Sequence, residues 1–343
     1  MKHRAFVTVC LLLLANTLTV PLANSTTMMN RDEFSPQDMV IRDDAFHGRG
    51  KLPFTEWWYF DAMLDNGYSV QMSIRIISLL GKGLVFERLD IYYNNTIIID
   101  QTKTFQIRDL NASSEIPLVQ LQGTTIFTGT LNTTTGFFDY AVSFEFPGYA
   151  ANLRFVGCTQ GWKGQQKGGD WWAVALPRAD VSGSLIVDNE TIYVVGTGYH
   201  DHNWDITATS VMRFGWFWGK FNSPDYTVTW SILLPNRISK VPILVVNKRN
   251  ASYLAIPQSE VWFSAEDIHS DHLMRVPHFF NIGTMTKTVL LIVDMAVIHV
   301  DYKRIMGTMH YWRFHVKCTG TILLDGRAQT INGVFIAEYV RFR

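Results

Sequence analysis

Along most of the chain, hydrophobic and polar residues alternate with a period of two. Residues 68–76 and 226–232 show this most clearly, with Val, Ile, Met, Tyr or Trp separated by Ser, Thr, Gln or Arg. The side chains of a β-strand point alternately to its two faces, so such segments predict strands. Turn-forming sequences separate them, among them Asp65-Asn66-Gly67, Asp188-Asn189 and Asp325-Gly326. Many short strands with frequent turns predict an all-β sandwich or barrel.

A seven-residue segment occurs twice. Residues 183–189 match residues 320–326 position by position, and in each copy a glycine follows eight residues after the aspartate. The next strand reads Tyr-His-Asp-His at 199–202 and Ile-Ala-Glu-Tyr at 336–339. One hairpin used twice predicts two consecutive, related β domains, although so short a match also arises by chance. Since the polar residues of the first copy are largely apolar in the second, we expect any chemistry in the first domain.

The domain boundary is predicted near residue 240. Pro235 and Pro242 flank a polar stretch between two apolar runs, which is typical of a linker. The predicted limits are 24–240 for the first domain and 241–343 for the second.

The N-terminus has the pattern of a secretory signal peptide. Lys2 and Arg4 precede an apolar stretch at 5–15, and Ala23 offers a small residue for cleavage. We therefore expect residues 1–23 to be a signal peptide and the protein to be extracytoplasmic; the alternative is an uncleaved membrane anchor. Without Lys2 and Arg4, 28 of the 30 basic residues remain beside 30 acidic residues, which gives a net charge of −2. This balance argues against nucleic acid or an anionic membrane surface as a partner.

Two further features suit an exported protein. Cys158 and Cys318 remain in the mature chain, either as one disulfide or as two buried thiols. Acceptor sequences for N-linked glycans, which predict a glycoprotein, occur at Asn24, Asn94, Asn111, Asn132, Asn189 and Asn250.

The segment from Thr55 to Asp61 places a carboxylate among aromatic residues. On a strand, Glu56, Trp58 and Phe60 share one face, and Trp57 and Tyr59 share the other. A carboxylate is costly to bury among aromatic rings unless it is paired or protonated. Glu56 is therefore a candidate acid, or the partner of a buried arginine such as Arg75 or Arg88.

The segment from Gly196 to Asp205 carries the other candidate catalytic residues. On a strand, His200, His202 and Trp204 point one way, and Tyr199, Asp201 and Asn203 the other. Two alternate histidines can bind a metal, but no third ligand follows at suitable spacing, so no metal is predicted. Histidine beside a carboxylate suits proton transfer, which makes Tyr199, His200, Asp201, His202 and Glu56 the candidate catalytic set. The alternative is a hydrogen-bonded network that plugs the end of a barrel.

Eleven tryptophans are many for 343 residues, and most of them lie in clusters. Aromatic walls with a few polar groups suit a cavity for a long apolar or conjugated ligand, although tryptophan also fills ordinary cores. The predicted ligand-binding residues are Trp57, Trp58, Tyr59, Trp172, Trp204, Trp216, Trp218 and Trp230. The sequence contains no phosphate-binding loop, dinucleotide fingerprint or nucleophile elbow, and no cofactor is predicted.

Four segments together resemble the family of AttH and carotenoid 1,2-hydratase, which are tandem lipocalin-like proteins. They are 56–59 (Glu-Trp-Trp-Tyr), 171–172 with 177–183, 198–204 (Gly-Tyr-His-Asp-His-Asn-Trp) and 333–342. The resemblance implies two consecutive lipocalin-like barrels with a ligand cavity chiefly in or beside the first. It also implies apolar ligands such as isoprenoids, lipids or polyenes. Some family members hydrate an isolated double bond and others cyclise polyenes.

The resemblance carries over to some residues and not to others. His202 and Trp204 match a histidine and a tryptophan implicated in the hydratases. The following strand, 226–232, lacks the acidic residue expected in its interior; Asp225 stands only at its start, which leaves Glu56 and Asp201 as substitutes. Three hypotheses result: a binding protein for a large apolar molecule, a cofactor-independent hydratase or cyclase, and a structural protein of the cell envelope.

Overall fold

The computed structural model describes residues 34–48, 54–79, 82–166, 169–206, 215–305, 307 and 309–342. The predicted signal peptide lies outside these residues. Within them, three short 3-10 helices occupy Ile41–Asp44, Ile107–Asp109 and Gln258–Glu260. No helix in this part of the chain is long and apolar enough to cross a membrane.

Thirteen strands form the first sheet: β1 (Gln37–Asp38), β2 (Phe54–Leu64), β3 (Tyr68–Leu79), β4 (Lys82–Tyr93), β5 (Thr96–Gln106), β6 (Leu110–Ala112), β7 (Leu118–Leu121), β8 (Thr124–Leu131), β9 (Phe138–Phe146), β10 (Tyr149–Gly157), β11 (Trp162–Gln165), β12 (Trp171–Val187) and β13 (Glu190–Trp204). Nine strands form the second: β14 (Gly215–Asn222), β15 (Tyr226–Leu234), β16 (Val241–Lys248), β17 (Tyr253–Ala255), β18 (Val261–Asp271), β19 (Met274–Met285), β20 (Val289–Ile305), β21 (Met309–Leu324) and β22 (Arg327–Phe342).

Each sheet curls back on itself. The order of the first is β5-β4-β3-β2-β13-β12-β10-β9-β8-β7-β6, with β1 and β11 attached beside β12. Its two edge strands, β5 and β6, are joined only by the short helix Ile107–Asp109, so the edges must lie near each other. The second sheet, β17-β16-β15-β14-β22-β21-β20-β19-β18, likewise ends in two strands that follow each other in the chain. The prediction of an all-β protein with two consecutive barrel domains is confirmed.

The repeated segment occupies the same place in both sheets. It forms the hairpins β12–β13 and β21–β22, whose turns are Asp188-Asn189 and Asp325-Gly326. All four turn residues have positive φ (52°, 66°, 54° and 71°), as the tight turn of a twisted hairpin requires. In each sheet the second strand of the hairpin pairs with the first long strand, β13 with β2 and β22 with β14. The repeat therefore corresponds to two related sheets.

The change from one sheet to the other precedes the predicted boundary at residue 240. The first sheet ends at Trp204 and the second begins at Gly215, so β14 and β15 belong to the second sheet. The stretch between Pro235 and Pro242 connects β15 to β16, which pair directly with each other. A polar, proline-flanked loop is equally suited to a hairpin and to a linker, so its composition did not distinguish the two.

Each sheet encloses its own hydrophobic core. Trp58, Phe60 and Phe127 are fully buried in the first, and Trp312 and Phe314 in the second. Burial of each such side chain contributes about 1.5–3 kcal/mol. Cys158 and Cys318 are both buried, and they do not form a disulfide with each other. Of the two alternatives that the sequence left open, the structure therefore has the two buried thiols.

A third apolar cluster lies between the two sheets. It comprises Tyr59, Trp162, Trp172, Val174, Tyr199, Trp218, Leu233, Ile243, Val245 and Ile336. These residues come from the outer faces of both sheets, so both faces of strands such as β2 and β13 are buried, one inside the barrel and the other against the second sheet.

Candidate functional site

A cavity of about 510 Å³ lies between the outer faces of the two sheets. The first sheet supplies its floor through neighbouring strands β3, β2 and β13. Paired residues form one row, Arg75–Trp57–Asn203, and a second row, Ser73–Tyr59–Asp201. Because every second residue of a strand points to the same face, both rows face the cavity.

The second sheet supplies the opposite wall. Trp216 and Trp218 of β14 and Tyr311 of β21 line the cavity, together with Glu338 of β22. Aromatic side chains therefore stand on both sides of the space, with polar groups between them. This is the composition expected of a site for a largely apolar small molecule.

Asp201 is the buried carboxyl group on the floor of the cavity. Its Oδ2 accepts hydrogen bonds from Tyr199 Oη at 2.8 Å and Trp172 Nε1 at 3.0 Å, and its Oδ1 accepts one from Asn203 Nδ2 at 3.2 Å. Burial raises the pKa of Asp201 to about 7, although these hydrogen bonds favour the ionised form. The group can therefore give up or take back a proton at neutral pH.

Glu338 faces the same cavity from the second sheet. Its Oε1 accepts hydrogen bonds from Tyr311 Oη at 2.6 Å, Tyr59 Oη at 2.9 Å and Arg313 Nη1 at 3.1 Å. Burial raises the pKa of Glu338, and the charge of Arg313 opposes this rise. Glu338 occupies the position in the second hairpin that Asp201 occupies in the first, so each copy contributes one carboxyl group.

The expectation that any chemistry would lie in the first domain alone stays a prediction, but the second sheet brings Glu338 into the same cavity. The second hairpin has an acidic residue, Glu338, at the position equivalent to Asp201. The hydroxyl group of Tyr311 lies beside it. A further contact holds the two sheets together at this point, because Lys220 of β14 forms a buried ion pair with Asp61 of β2.

His200 and His202 point into the first barrel, on the face opposite to Asp201. His200 Nε2 lies 2.9 Å from Asp44 Oδ2, and its Nδ1 lies 2.9 Å from the backbone oxygen of Tyr59. His202 Nε2 lies 2.9 Å from Glu56 Oε1, and its Nδ1 lies 3.4 Å from Asp44 Oδ1. Together these four side chains form a polar cluster, here called the barrel cluster, inside an apolar core.

Opposite charges favour the ionised forms of His202 and Asp44. Burial lowers the pKa of His202, but its hydrogen bonds with Asp44 and Glu56 outweigh this and raise it to about 9. Burial raises the pKa of Asp44, but the charge of His200 and the hydrogen bonds with both histidines hold it well below its usual range. The cluster resembles a structural ion-pair network, and it does not line the cavity.

The structure thus divides the predicted catalytic set between two places. Tyr199 and Asp201 lie between the sheets, whereas His200, His202 and Glu56 lie within the first barrel. Asp201 does not pair with the histidines, because the strand sends them to opposite faces, as the alternation in the sequence indicated. Glu56 is also not the partner of Arg75 or Arg88; it accepts hydrogen bonds from His202 and from the backbone of His47.

The predicted ligand-binding residues divide in the same way. Trp57, Tyr59, Trp172, Trp216 and Trp218 line the cavity.

The remaining three tryptophans lie in the barrel interiors. Trp58 stacks on His202 at 4.5 Å between ring centroids, and Trp204 stacks on His47 at 4.1 Å. Trp230 packs in the second core against Gly219, where a side chain would overlap its ring.

Several residues of the site went unnoticed in the sequence. Glu338 had a usable signal, because the repeat aligns it with Asp201. Asp44 had none, because it follows no strand period and reaches the barrel cluster from a 3-10 helix. Arg75 and Tyr311 stand on strands whose orientation towards the cavity depends on how the two sheets pack.

Solved structures share this architecture. A candidate AttH of Nitrosomonas europaea matches with a TM-score of 0.62 and 14% identity over 94% of this chain and 98% of its own. CghA in complex with Sch210972 matches with a TM-score of 0.58 and 11% identity, covering 84% and 88%. Kievitone hydratase of Nectria haematococca matches with a TM-score of 0.52 and 10% identity, covering 87% and 93%. No protein-family model matches the sequence, and a search of curated proteins finds no relative. At these identities the likeness shows the fold.

Proposed function

We propose that the protein binds a largely apolar small molecule between its two sheets and catalyses a proton transfer to a carbon–carbon double bond, as in hydration or cyclisation. The observation that carries the proposal is Asp201, a buried carboxyl group with a pKa of about 7 that faces an aromatic-walled cavity. The fold is shared with kievitone hydratase and with CghA, whose structure contains Sch210972, which supports chemistry of this class.

The reaction needs an acid that is protonated when the ligand binds. Neutral Asp201 would donate its proton to one alkene carbon, so that the π bond breaks, a C–H bond forms and the neighbouring carbon becomes cationic. Trp172 and Trp218 line the same cavity, and their rings would stabilise this cation. Water would then attack the cation and lose a proton to the Asp201 carboxylate, which regenerates the acid.

Tyr199 and Trp172 have a positioning role in this proposal. Both donate hydrogen bonds to the same oxygen, Oδ2, so the carboxyl group is fixed in orientation. These bonds also favour the carboxylate over the neutral acid, which limits the rise of the Asp201 pKa that burial causes.

A binding protein without activity is the second candidate. It is favoured by the three hydrogen bonds of Asp201, which satisfy the carboxylate without any ligand. In this case Asp201 would serve to hold Trp172 and Tyr199 in the cavity wall. Turnover distinguishes the two candidates.

The test is a panel of prenylated phenols and linear polyenes, incubated with the protein in D₂O and followed by mass spectrometry. Addition of one water, or incorporation of deuterium at carbon, identifies turnover. Asp201→Asn keeps the shape of the side chain but cannot protonate carbon, and is expected to lower the rate at least 100-fold. Quenching of tryptophan fluorescence should show that ligand affinity changes less than threefold.

Asp43→Asn, at a half-buried carboxylate paired with Lys163 outside the cavity, is the control variant. An Asp201→Asn protein with unchanged turnover would exclude Asp201 as the acid. Binding without turnover of any compound would favour the carrier.

We further propose that the protein is exported and glycosylated. The basic and apolar N-terminal residues support the first, and the exposure of Asn94, Asn111, Asn189 and Asn250 supports the second. Intact-mass measurement of the protein from its own source, before and after removal of N-glycans, would test both. A mass that retains residues 1–23 and does not change on deglycosylation would contradict the proposal.

A further inference from the structure

Three of the basic side chains that line the cavity have partners within the protein. Arg88 lies 3.1 Å from the Asp90 carboxylate and 2.9 Å from that of Asp100. Lys303 Nζ lies 2.7 Å from Asp90 and 3.3 Å from Asp100. Arg304 is exposed near the end of β20 and donates a hydrogen bond to a backbone oxygen at 2.9 Å. Carboxylates therefore already neutralise Arg88 and Lys303, and Arg304 stands in solvent at the end of its strand.

Arg75 differs from them. Its guanidinium carbon lies 4.9 Å from the ring centroid of Trp57, and among the residues that the structure describes no hydrogen bond or ion pair engages the group. Burial and the charge of Arg88 lower the pKa of Arg75 to about 10, which still leaves it charged at neutral pH. The side chain is only partly buried and the charge of Glu338 opposes this lowering, but none of its five N–H donors is used by an acceptor in the described part of the chain.

Arg75 and Asp201 lie on the same face of the first sheet. Arg75 is paired with Trp57, and Trp57 is paired with Asn203, which stands two residues from Asp201. With strands about 4.8 Å apart and about 3.4 Å per residue, the Cα atoms of Arg75 and Asp201 are roughly 12 Å apart. One ligand in the cavity can therefore contact both groups.

We propose that the cavity takes ligands with an anionic group, such as a carboxylate or an acidic enol, on a largely apolar body, and that Arg75 binds the anionic group. This inference rests on the proposed function, because it assigns the ligand class of the same cavity. The planar fork of arginine suits a bidentate contact with such a group, and stacking on Trp57 orients the fork in advance. The apolar body would then extend along the tryptophans towards Asp201.

A pair of fluorescent probes tests the anionic group alone. 8-Anilinonaphthalene-1-sulfonate and N-phenyl-1-naphthylamine share an aromatic skeleton, and only the first carries a sulfonate. The full-length protein should bind the sulfonate probe at least tenfold more tightly than the neutral one, a difference of about 1.4 kcal/mol. Arg75→Gln should abolish this preference while leaving the affinity for the neutral probe within twofold, and Arg75→Lys should retain part of it.

Arg154→Gln is the matched control, because it removes the same charge from an exposed side chain outside the cavity. Equal affinity of the wild-type protein for the two probes would overturn the anion site and leave the proposed function intact. Equal loss of both probes in Arg75→Gln would also overturn it, since Arg75 would then only support the cavity wall. Failure of the wild-type protein to bind either probe would overturn both the anion site and the apolar-ligand proposal.

Discussion

Replacing Asp201 with asparagine should stabilise the protein at neutral and alkaline pH. The pKa of the wild-type carboxyl group is about 7 in the folded protein and close to the ordinary aspartate value of 3.8 in the unfolded chain. A group whose pKa is raised by folding favours the folded state below its unfolded pKa, and this contribution is lost as the pH rises through the folded pKa. At pH 8 the wild-type protein must bury an ionised carboxylate, whereas the asparagine variant buries a neutral amide.

The magnitude follows from the difference between the two pKa values. About three pKa units at 1.36 kcal/mol each correspond to about 4 kcal/mol, developed between roughly pH 4 and pH 8. The amide can keep the local hydrogen bonds. Its oxygen can accept from Tyr199 and Trp172 as Oδ2 does, and its NH₂ group can donate to Asn203 once the amide of Asn203 has flipped. The expected gain at pH 8 is therefore about 2–4 kcal/mol, close to zero below pH 4.

Urea denaturation of both proteins from pH 4 to 9, followed by tryptophan fluorescence and circular dichroism, measures the difference. Other titrating groups, including His202, are common to both proteins and cancel when the two curves are subtracted. Parallel curves would refute the reasoning, because they would mean that Asp201 has an ordinary pKa and is not a poised acid. A stabilised variant that has also lost turnover would mark Asp201 as a site where stability is sacrificed for function.

Two further predictions concern buried ion pairs. His202→Gln leaves Glu56 without its cationic partner and Asp44 with His200 alone, and should lower the free energy of unfolding by about 3 kcal/mol in urea at pH 6, with the neutral-probe affinity unchanged. The deficit should narrow as the pH rises from 6.5 through 9, where wild-type His202 loses its proton; a deficit independent of pH would contradict the assigned charge. Lys220→Met leaves Asp61 unpaired between the sheets and should cost about 3–5 kcal/mol, and adding Asp61→Leu should recover most of this loss. Additive losses in this double-mutant cycle would show that the two side chains do not interact.

The period-two pattern alone determined much of this protein. It predicted the strands and the all-β class, and the repeated hairpin predicted two related sheets. It also separated His200 and His202 from Tyr199 and Asp201 correctly, because side-chain alternation is a local property of any strand. The alignment of the two hairpins also placed Glu338 at the position equivalent to Asp201.

Only the tertiary structure decided which face meets the cavity. In most two-layer proteins the polar face of a strand marks the solvent side, but both faces of β2 and β13 are buried, so both carry aromatic and charged residues. The sequence therefore contains no contrast that tells the barrel interior from the contact between sheets. The same holds for Tyr311 and Asp44, whose partners come from distant parts of the chain, and for Arg75, which meets the cavity only when the two sheets pack. Contacts of that kind depend on how two complete sheets pack, and no local period encodes them.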